Sequence, residues 1–287
     1  MIVDTHVHVW DLTQAKYPWL ENDTSLLNNS WHIGALEADR NEVGITAGVL
    51  IQASGNYEDT DWMFEAAAET KWIKGVVAWL PLMDPVAAKK KLEEDYINRK
   101  YFKGIRHQVH DEKDAKWLLQ PTVIESLKIL AAHDIPYDFV GVLPAHIETV
   151  LEVANKVPEL RIVFDHLNQP PISKKEKFGQ WGELMKEAAT HKNFYAKISG
   201  LGTTSGNFKN WHANDLKPYI EFVLEYFGTD HCFCGGDWPV ALLAGSYKRI
   251  WEAYRDIIEE LTTNKEQEKI FYHNAMKFYS LIEDVKS

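Results

Sequence analysis

"VDTHVHVW", residues 3–10, opens the chain with a β-branched run that ends on two histidines, His6 and His8. In a strand, residues i and i+2 share a face, so the two imidazoles project together. An open doubly wound α/β sheet usually follows its first strand with a glycine-rich turn. Here His-Val-His stands in that place, which favours the rival architecture, a (β/α)8 barrel. Barrel active sites are built at the C-terminal ends of the strands, where this pair lies. Two imidazoles placed so can share a metal ion or an oxyanion. Taken alone, His-x-His is more often a pair of core histidines satisfied by backbone groups.

The rest of the chain repeats the rhythm of that first strand. Short β-branched runs alternate with longer helical patterns, in the order expected of a parallel sheet. Strands are expected at 2–5, 46–53, 73–80, 101–107, 135–140, 161–166, 193–199 and 231–237. Helices are expected over 62–72, 121–134 and 147–157, with two more near 244–261 and 265–281. Pro121 opens one of these, where its missing N–H is harmless. Eight strands in 287 residues, slightly above the ~250 typical of the fold, point to a single-domain (β/α)8 TIM barrel over 1–287. Residues 9–40 are expected as a long loop over its mouth.

Composition excludes several classes. Hydrophobic residues make up 45% of the chain, enough for a sizeable core. The longest apolar runs fall short of a membrane span, and no signal-peptide pattern precedes the first strand, so the cytoplasm is the expected location. Cys232 and Cys234 lie two apart on one strand face, which argues against a bridge and against a cysteine metal site. Basic residues number 31 against 42 acidic, a net charge of −11, which repels phosphate backbones and makes nucleic acid a poor partner.

Polar residues gather at the strand ends. Gln52 ends the second strand, Arg106 and His107 the fourth, His166 the sixth and Asp237 the eighth, while Lys197 and Ser199 lie on the seventh. A barrel needs none of them for stability, and burying them unpaired costs several kcal/mol each, so their convergence is a functional signal.

The pattern resembles the amidohydrolase superfamily, and more narrowly the amidohydrolase-2 family in its sugar-lactone hydrolase branch, the L-fuconolactonases and L-rhamnonolactonases. The matching pieces run the whole length: "IVDTHVHVWDL" with "YPWL", "GVLIQA", "FKGIRHQVHDEKDAKWLLQPTV", "DHLNQPPI", "KISGL" and "GGDWPV". The "GIRHQVHDE…WLL" block is more specific than His-x-His alone. The resemblance carries the functional positions onto His6, His8, His166 and Asp237, with Arg106 and His107 nearby. Three departures stand out. Gly236 replaces the usual serine before the aspartate, Gln169 replaces a frequent lysine, and neither a strand-four lysine nor a strand-five histidine is present. A two-metal centre is therefore not expected. One divalent ion, zinc first among them, held by His6, His8 and Asp237 with His166 as a further donor, is consistent with the pattern, and metal-independent catalysis stays open.

Lactone hydrolysis needs a water deprotonated, a carbonyl polarised and an alkoxide protonated. Asp237 suits the base. His6, His8 and His166 can donate to the oxyanion, alone or through a metal. Lys197 or His107 can bind hydroxyls or protonate the leaving oxygen, and Arg106, Gln52 and Trp211 complete the expected substrate contacts. Trp10, Tyr17, Trp19 and Trp31 of the long loop, with Thr203, Thr204, Ser205, Asn207 and Trp211 after strand seven, place aromatic platforms beside hydroxyl and amide groups, as a small neutral sugar lactone requires. Most of the eleven tryptophans nonetheless only pack loops onto the barrel. "SGLGTTSG" lacks the Lys-Ser/Thr ending of a phosphate loop. "KKKLEEDYINRK" reads as a solvated helix face. His32, His133, His146, His191, His231 and His273 read as surface or structural, while His110 and His212 lie in loops near the mouth.

Two other readings stay open. One is a metal-dependent decarboxylase or pyrone-carboxylate lactonase built on the same residues. Against it, only Arg106 among six arginines ends a strand, few for an anionic substrate. The other is a non-catalytic barrel that binds a sugar acid, against which the intact Asp237 argues. Neither the sugar nor the oligomeric state is written in the sequence.

Overall fold

All eight expected strands form: β1 (Val3–Val7), β2 (Ala47–Ile51), β3 (Ile73–Ala78), β4 (Phe102–His107), β5 (Tyr137–Phe139), β6 (Ile162–Phe164), β7 (Phe194–Ile198) and β8 (Cys232–Cys234). The structure is a computed structural model that describes residues 1–174 and 177–282. Neighbouring strands pair in parallel and in strict chain order. The sheet closes where Val7 bridges Trp238, just beyond β8. Asp237 N donates to His6 O at 2.8 Å and His8 N to Trp238 O at 2.7 Å across this seam. Parallel strands covered on both faces read as near-continuous apolar runs, which is why "AGVLI" and "IVF" are so uniformly hydrophobic.

Between the strands lie α1 (Glu37–Val43), α2 (Tyr57–Glu69), α3 (Pro85–Glu94), α4 (Pro121–Ala132), α5 (Pro144–Lys156), α6 (Gly179–Ala188), α7 (Leu201–Thr204) and α8 (Ala213–Phe227), and α9 (Tyr247–Leu261), α10 (Asn264–Glu268) and α11 (Asn274–Phe278) follow β8. Their starts are written locally. Asn56, Asp84 and Ser246 accept from the N–H three residues on, at 2.8, 3.0 and 3.1 Å. Each such cap contributes about 1 kcal/mol. No described helix is long and apolar enough to cross a membrane.

Two expectations change. The helix expected over 265–281 is interrupted by a π-helical turn at Lys269–His273 between α10 and α11. Just past that turn, the Asn274 amide donates to Thr229 O at 2.7 Å and Cys232 O at 2.8 Å, pinning the segment to the end of β8. Phe278 and Tyr279 then pack with Val3, Val49, Val163 and Phe233. The stretch 9–40 is also not all loop. It holds 3₁₀ turns at Pro18–Leu20 and Ile33–Leu36, and α1 begins at Glu37, where Glu37 and Asp39 favour the helix N-terminus. Trp19 Nε1 donates to Ala53 O at 2.9 Å and Ser54 Oγ to Lys16 O at 2.7 Å, tying this stretch to the turn after β2. Cys232 and Cys234 are free, buried thiols.

Candidate active site

The seam between β1 and β8 brings the two ends of the chain into one cluster. His6 and His8 share a face, with their Nε2 atoms 3.1 Å apart. Asp237 Oδ1 lies 3.7 Å from His6 Nε2, 3.6 Å from His8 Nε2 and 3.9 Å from His166 Nε2. The neighbouring Asp4 clamps the seam from behind. Its carboxylate accepts from His6 N at 2.9 Å, Gly236 N at 2.8 Å and Tyr247 Oη at 2.6 Å. Burial pushes the Asp4 carboxyl up to about 6, against the pull of those three bonds. This packing explains the glycine where the resemblance expects serine. A Cβ on Gly236 would stand 2.6 Å from Asp4 Oδ2 and 2.8 Å from Trp251 Nε1.

His166 reaches the cluster through a strained turn. It and the next three residues, Leu167, Asn168 and Gln169, have φ of 54°, 51°, 53° and 51°. Each left-handed residue costs roughly 1–2 kcal/mol, and such strain concentrates at functional sites. Ser199 Oγ accepts from His166 N at 3.2 Å, and Trp181 Nε1 donates to Leu167 O at 2.8 Å, holding the turn. Gly200, at φ +60°, lets the chain pass the cluster, since a Cβ there would lie 2.5 Å from His166 Nδ1.

Beneath the histidines lies a buried charge network. Lys197 Nζ is 2.6 Å from Asp138 Oδ2 and 2.7 Å from Asp165 Oδ1, and Arg106 Nε is 2.9 Å from Asp165 Oδ2. Burial works to raise the Asp165 carboxyl, but Lys197, His6 and Arg106 outweigh it and hold it well below the usual carboxylate range. Burial lowers both His6 and His166, so their imidazoles stay neutral near neutral pH.

Above the cluster opens a cavity of about 210 Å3, lined by His8, His166, Asp237 and Arg106. Trp10 and Trp19 of the long loop and Thr203 and Thr204 after β7 also line it. Four expected substrate contacts lie elsewhere. Lys197 and Gln52 are wholly buried beneath the wall. His107 stacks on Trp117 with ring centroids 4.1 Å apart. Its Nδ1 accepts from Trp79 Nε1 at 3.3 Å, so Nε2 carries the hydrogen donated to Glu112 Oε1 at 2.7 Å, and both nitrogens are engaged. Trp211 is buried, donating to Ala244 O at 2.7 Å beneath the Arg249 guanidinium. Tyr17 and Trp31 pack within the loop, while His212 is exposed. His110, read from the sequence as lying in a loop near the mouth, lines the cavity from the turn after β4, together with Gln108 and Asp111, which sequence reasoning missed. Their signal was the "QVHD" within "GIRHQVHDE", read there only as resemblance.

His6, His8 and Asp237 each direct one ligand atom into a common space, all within 4.8 Å of one another. His8 Nδ1 lies 2.8 Å from Ile51 O, and a carbonyl only accepts, so Nδ1 carries the hydrogen and Nε2 presents a lone pair. His6 Nδ1 has Asp165 Oδ1 at 3.5 Å and Lys197 Nζ at 3.4 Å, an acceptor and a donor, so either tautomer of His6 finds a partner. Two imidazoles and a carboxylate with a position open to a cavity fit a single zinc-type ion.

A family model described as amidohydrolase matches residues 3–281. The L-fucono-1,5-lactonase of Burkholderia ambifaria is 29% identical, over 97% of this chain and 95% of that protein. The L-rhamnono-gamma-lactonase of Scheffersomyces stipitis is 26% identical over 62% of this chain and 59% of its own length. A crystal structure of an amidohydrolase from Burkholderia multivorans with bound zinc superposes with a TM-score of 0.90 at 25% identity, covering 98% of this chain and 100% of that one.

Proposed function

The chain belongs to the amidohydrolase family, and from that premise we propose that it hydrolyses the lactone of a neutral sugar acid, with Asp237 as the base that activates water. The observation that carries this reading is the carboxylate of Asp237 facing three imidazole nitrogens at 3.6 to 3.9 Å on the floor of the cavity. The lactonases named among its relatives support the substrate class. So does a wall of Trp10 and Trp19 beside Gln108, Gln169, Thr203 and Thr204, apolar faces next to amides and hydroxyls. Arg106 is the one guanidinium among the described residues of that wall, few for a dicarboxylate or a carboxylated aromatic.

Asp237 takes a proton from a water whose oxygen attacks the lactone carbonyl. Charge develops on the carbonyl oxygen. His166 can meet it with Nε2–H, because Ser199, 2.9 Å from Nδ1, has a hydroxyl proton to give to that nitrogen. Collapse breaks the bond to the ring oxygen, which takes the proton back from Asp237. One carboxyl thus serves as base and then acid, and no proton is left over. Neither Lys197 nor His107 is required for the leaving oxygen, in keeping with their engaged positions. His6, His8 and Asp237 would hold a zinc ion, which supplies Lewis acidity when bound.

A panel of γ- and δ-aldonolactones, followed by acid release with a pH indicator and with and without chelator, tests the reading. At least one five- or six-carbon lactone should open well above the buffer rate. No opening above buffer, with carbon dioxide released from a carboxylated aromatic, would replace it with the decarboxylase.

A further inference from the structure

Gln52, expected at the substrate, is wholly buried behind the cavity wall. Both ends of its carboxamide are engaged. Arg106 Nη1 donates to Gln52 Oε1 at 3.2 Å and to the Gln52 main-chain oxygen at 2.8 Å. A guanidinium has donors only, so the atom facing it must be the amide oxygen. The NH2 end is then turned to Gln108 and donates to its Oε1 at 3.2 Å. That turns the Gln108 oxygen toward Gln52, so its NH2, at the other end of the amide of a residue that lines the cavity, is the group available to a ligand there.

The order cannot reverse. Arg106 is anchored by Asp165 Oδ2 on Nε at 2.9 Å, and Asp165 and Arg106 are both buried. A flipped Gln52 would set N–H against N–H, leaving buried donors unpaired. Polarity therefore runs one way, from Asp165 through Arg106 and Gln52 to Gln108.

We propose that Gln52 is a positioning residue that fixes Gln108 as a hydrogen-bond donor, so that this wall receives an acceptor oxygen of the substrate, a hydroxyl oxygen of the lactone. The proposal deepens, and rests on, the lactonase reading. It assigns specificity to a residue that touches no substrate.

Two measurements test it. Wild type, Gln52→Leu, Gln108→Leu and the double variant are compared on the lactone that wild type opens fastest. Each single change should raise KM about tenfold, with a smaller fall in kcat. The double variant should be no worse than Gln108→Leu alone, because Gln52 acts through Gln108. Additive losses would overturn the relay, since a merely structural role weakens the enzyme whether or not Gln108 is present. The second measurement needs no turnover. Gln52→Glu accepts only, so Gln108 must turn its NH2 inward to the new carboxylate. In proton–nitrogen spectra, the Gln108 side-chain NH2, assigned by its loss in Gln108→Leu, should exchange with deuterium quickly in wild type and slowly in Gln52→Glu. Equally fast exchange in both would overturn the proposal, even for a protein that opens no lactone. Failure of every lactone in wild type overturns the reading of function instead.

Discussion

Asp237 Oδ1 lies 3.6 Å from His8 Nε2 because the barrel closes between them. The main-chain bonds of the seam, Asp237 N to His6 O and His8 N to Trp238 O, interleave the two strand ends residue by residue. The chain's first and last strands thus carry opposite halves of one site, and Asp4 ties both halves with a single carboxylate.

The first prediction concerns the ion. The lone pair forced on His8 Nε2 and the shared space with His6 and Asp237 make one site. Elemental analysis after zinc loading should give no more than one equivalent per chain, and His8→Ala should lose it. Two equivalents, with activity proportional to both, would contradict a single-ion centre.

Lys197 should behave as a structural cation rather than a substrate contact. It is wholly buried between Asp138 and Asp165, at 2.6 and 2.7 Å. Lys197→Met removes the shared cation from two buried carboxylates, leaving Asp165 with Arg106 and Asp138 with the Tyr279 hydroxyl, and breaking a buried pair in this way costs about 3–5 kcal/mol. Denaturant unfolding should show that loss. Unchanged stability with a raised KM would return Lys197 to the substrate.

Legibility followed locality. The eight strands were readable because a parallel barrel strand is a short apolar run between helices, and the strand-end residues His6, His8, His166 and Asp237 were readable because strand ends converge by topology. Lys197 and Gln52, expected at the substrate, lie off the cavity lining. Strand periodicity says that a side chain enters the barrel but not how deep, and both are wholly buried. Gln108, His110 and Asp111 sit on a turn whose direction no periodicity specifies. The left-handed run at 166–169 had little signal in its residue types, since Leu167 and Gln169 rarely adopt that region, and contacts to Ser199 and Trp181 hold it along with the turn's own Gln169 N to His166 O bond.

Asp59 should make part of the stability pH-dependent. It is wholly buried at the start of α2, and burial pushes its carboxyl up to about 7, opposed by bonds from Ala53 N and Ser54 N. The folded state therefore holds a proton between about 4 and 7 that the unfolded chain has lost. By linkage, this group's contribution is present at low pH and is lost as pH rises through 7. Wild type should gain on Asp59→Asn by on the order of 3 kcal/mol between pH 8 and pH 5 in denaturant titrations. A difference that does not change with pH would show that Asp59 ionises normally.

The proposed reaction turns on Asp237, and kcat of the Asp237→Asn variant is its most direct measure. The change is nearly isosteric and should leave the fold intact by circular dichroism and thermal unfolding. If Asp237 is the base, kcat on the best aldonolactone should fall about 10²-fold or more, with a smaller change in KM because ground-state contacts come from the cavity wall. A folded Asp237→Asn variant that keeps more than about a tenth of wild-type kcat would contradict the account and move the base to His166, the next residue in the cluster able to take a proton.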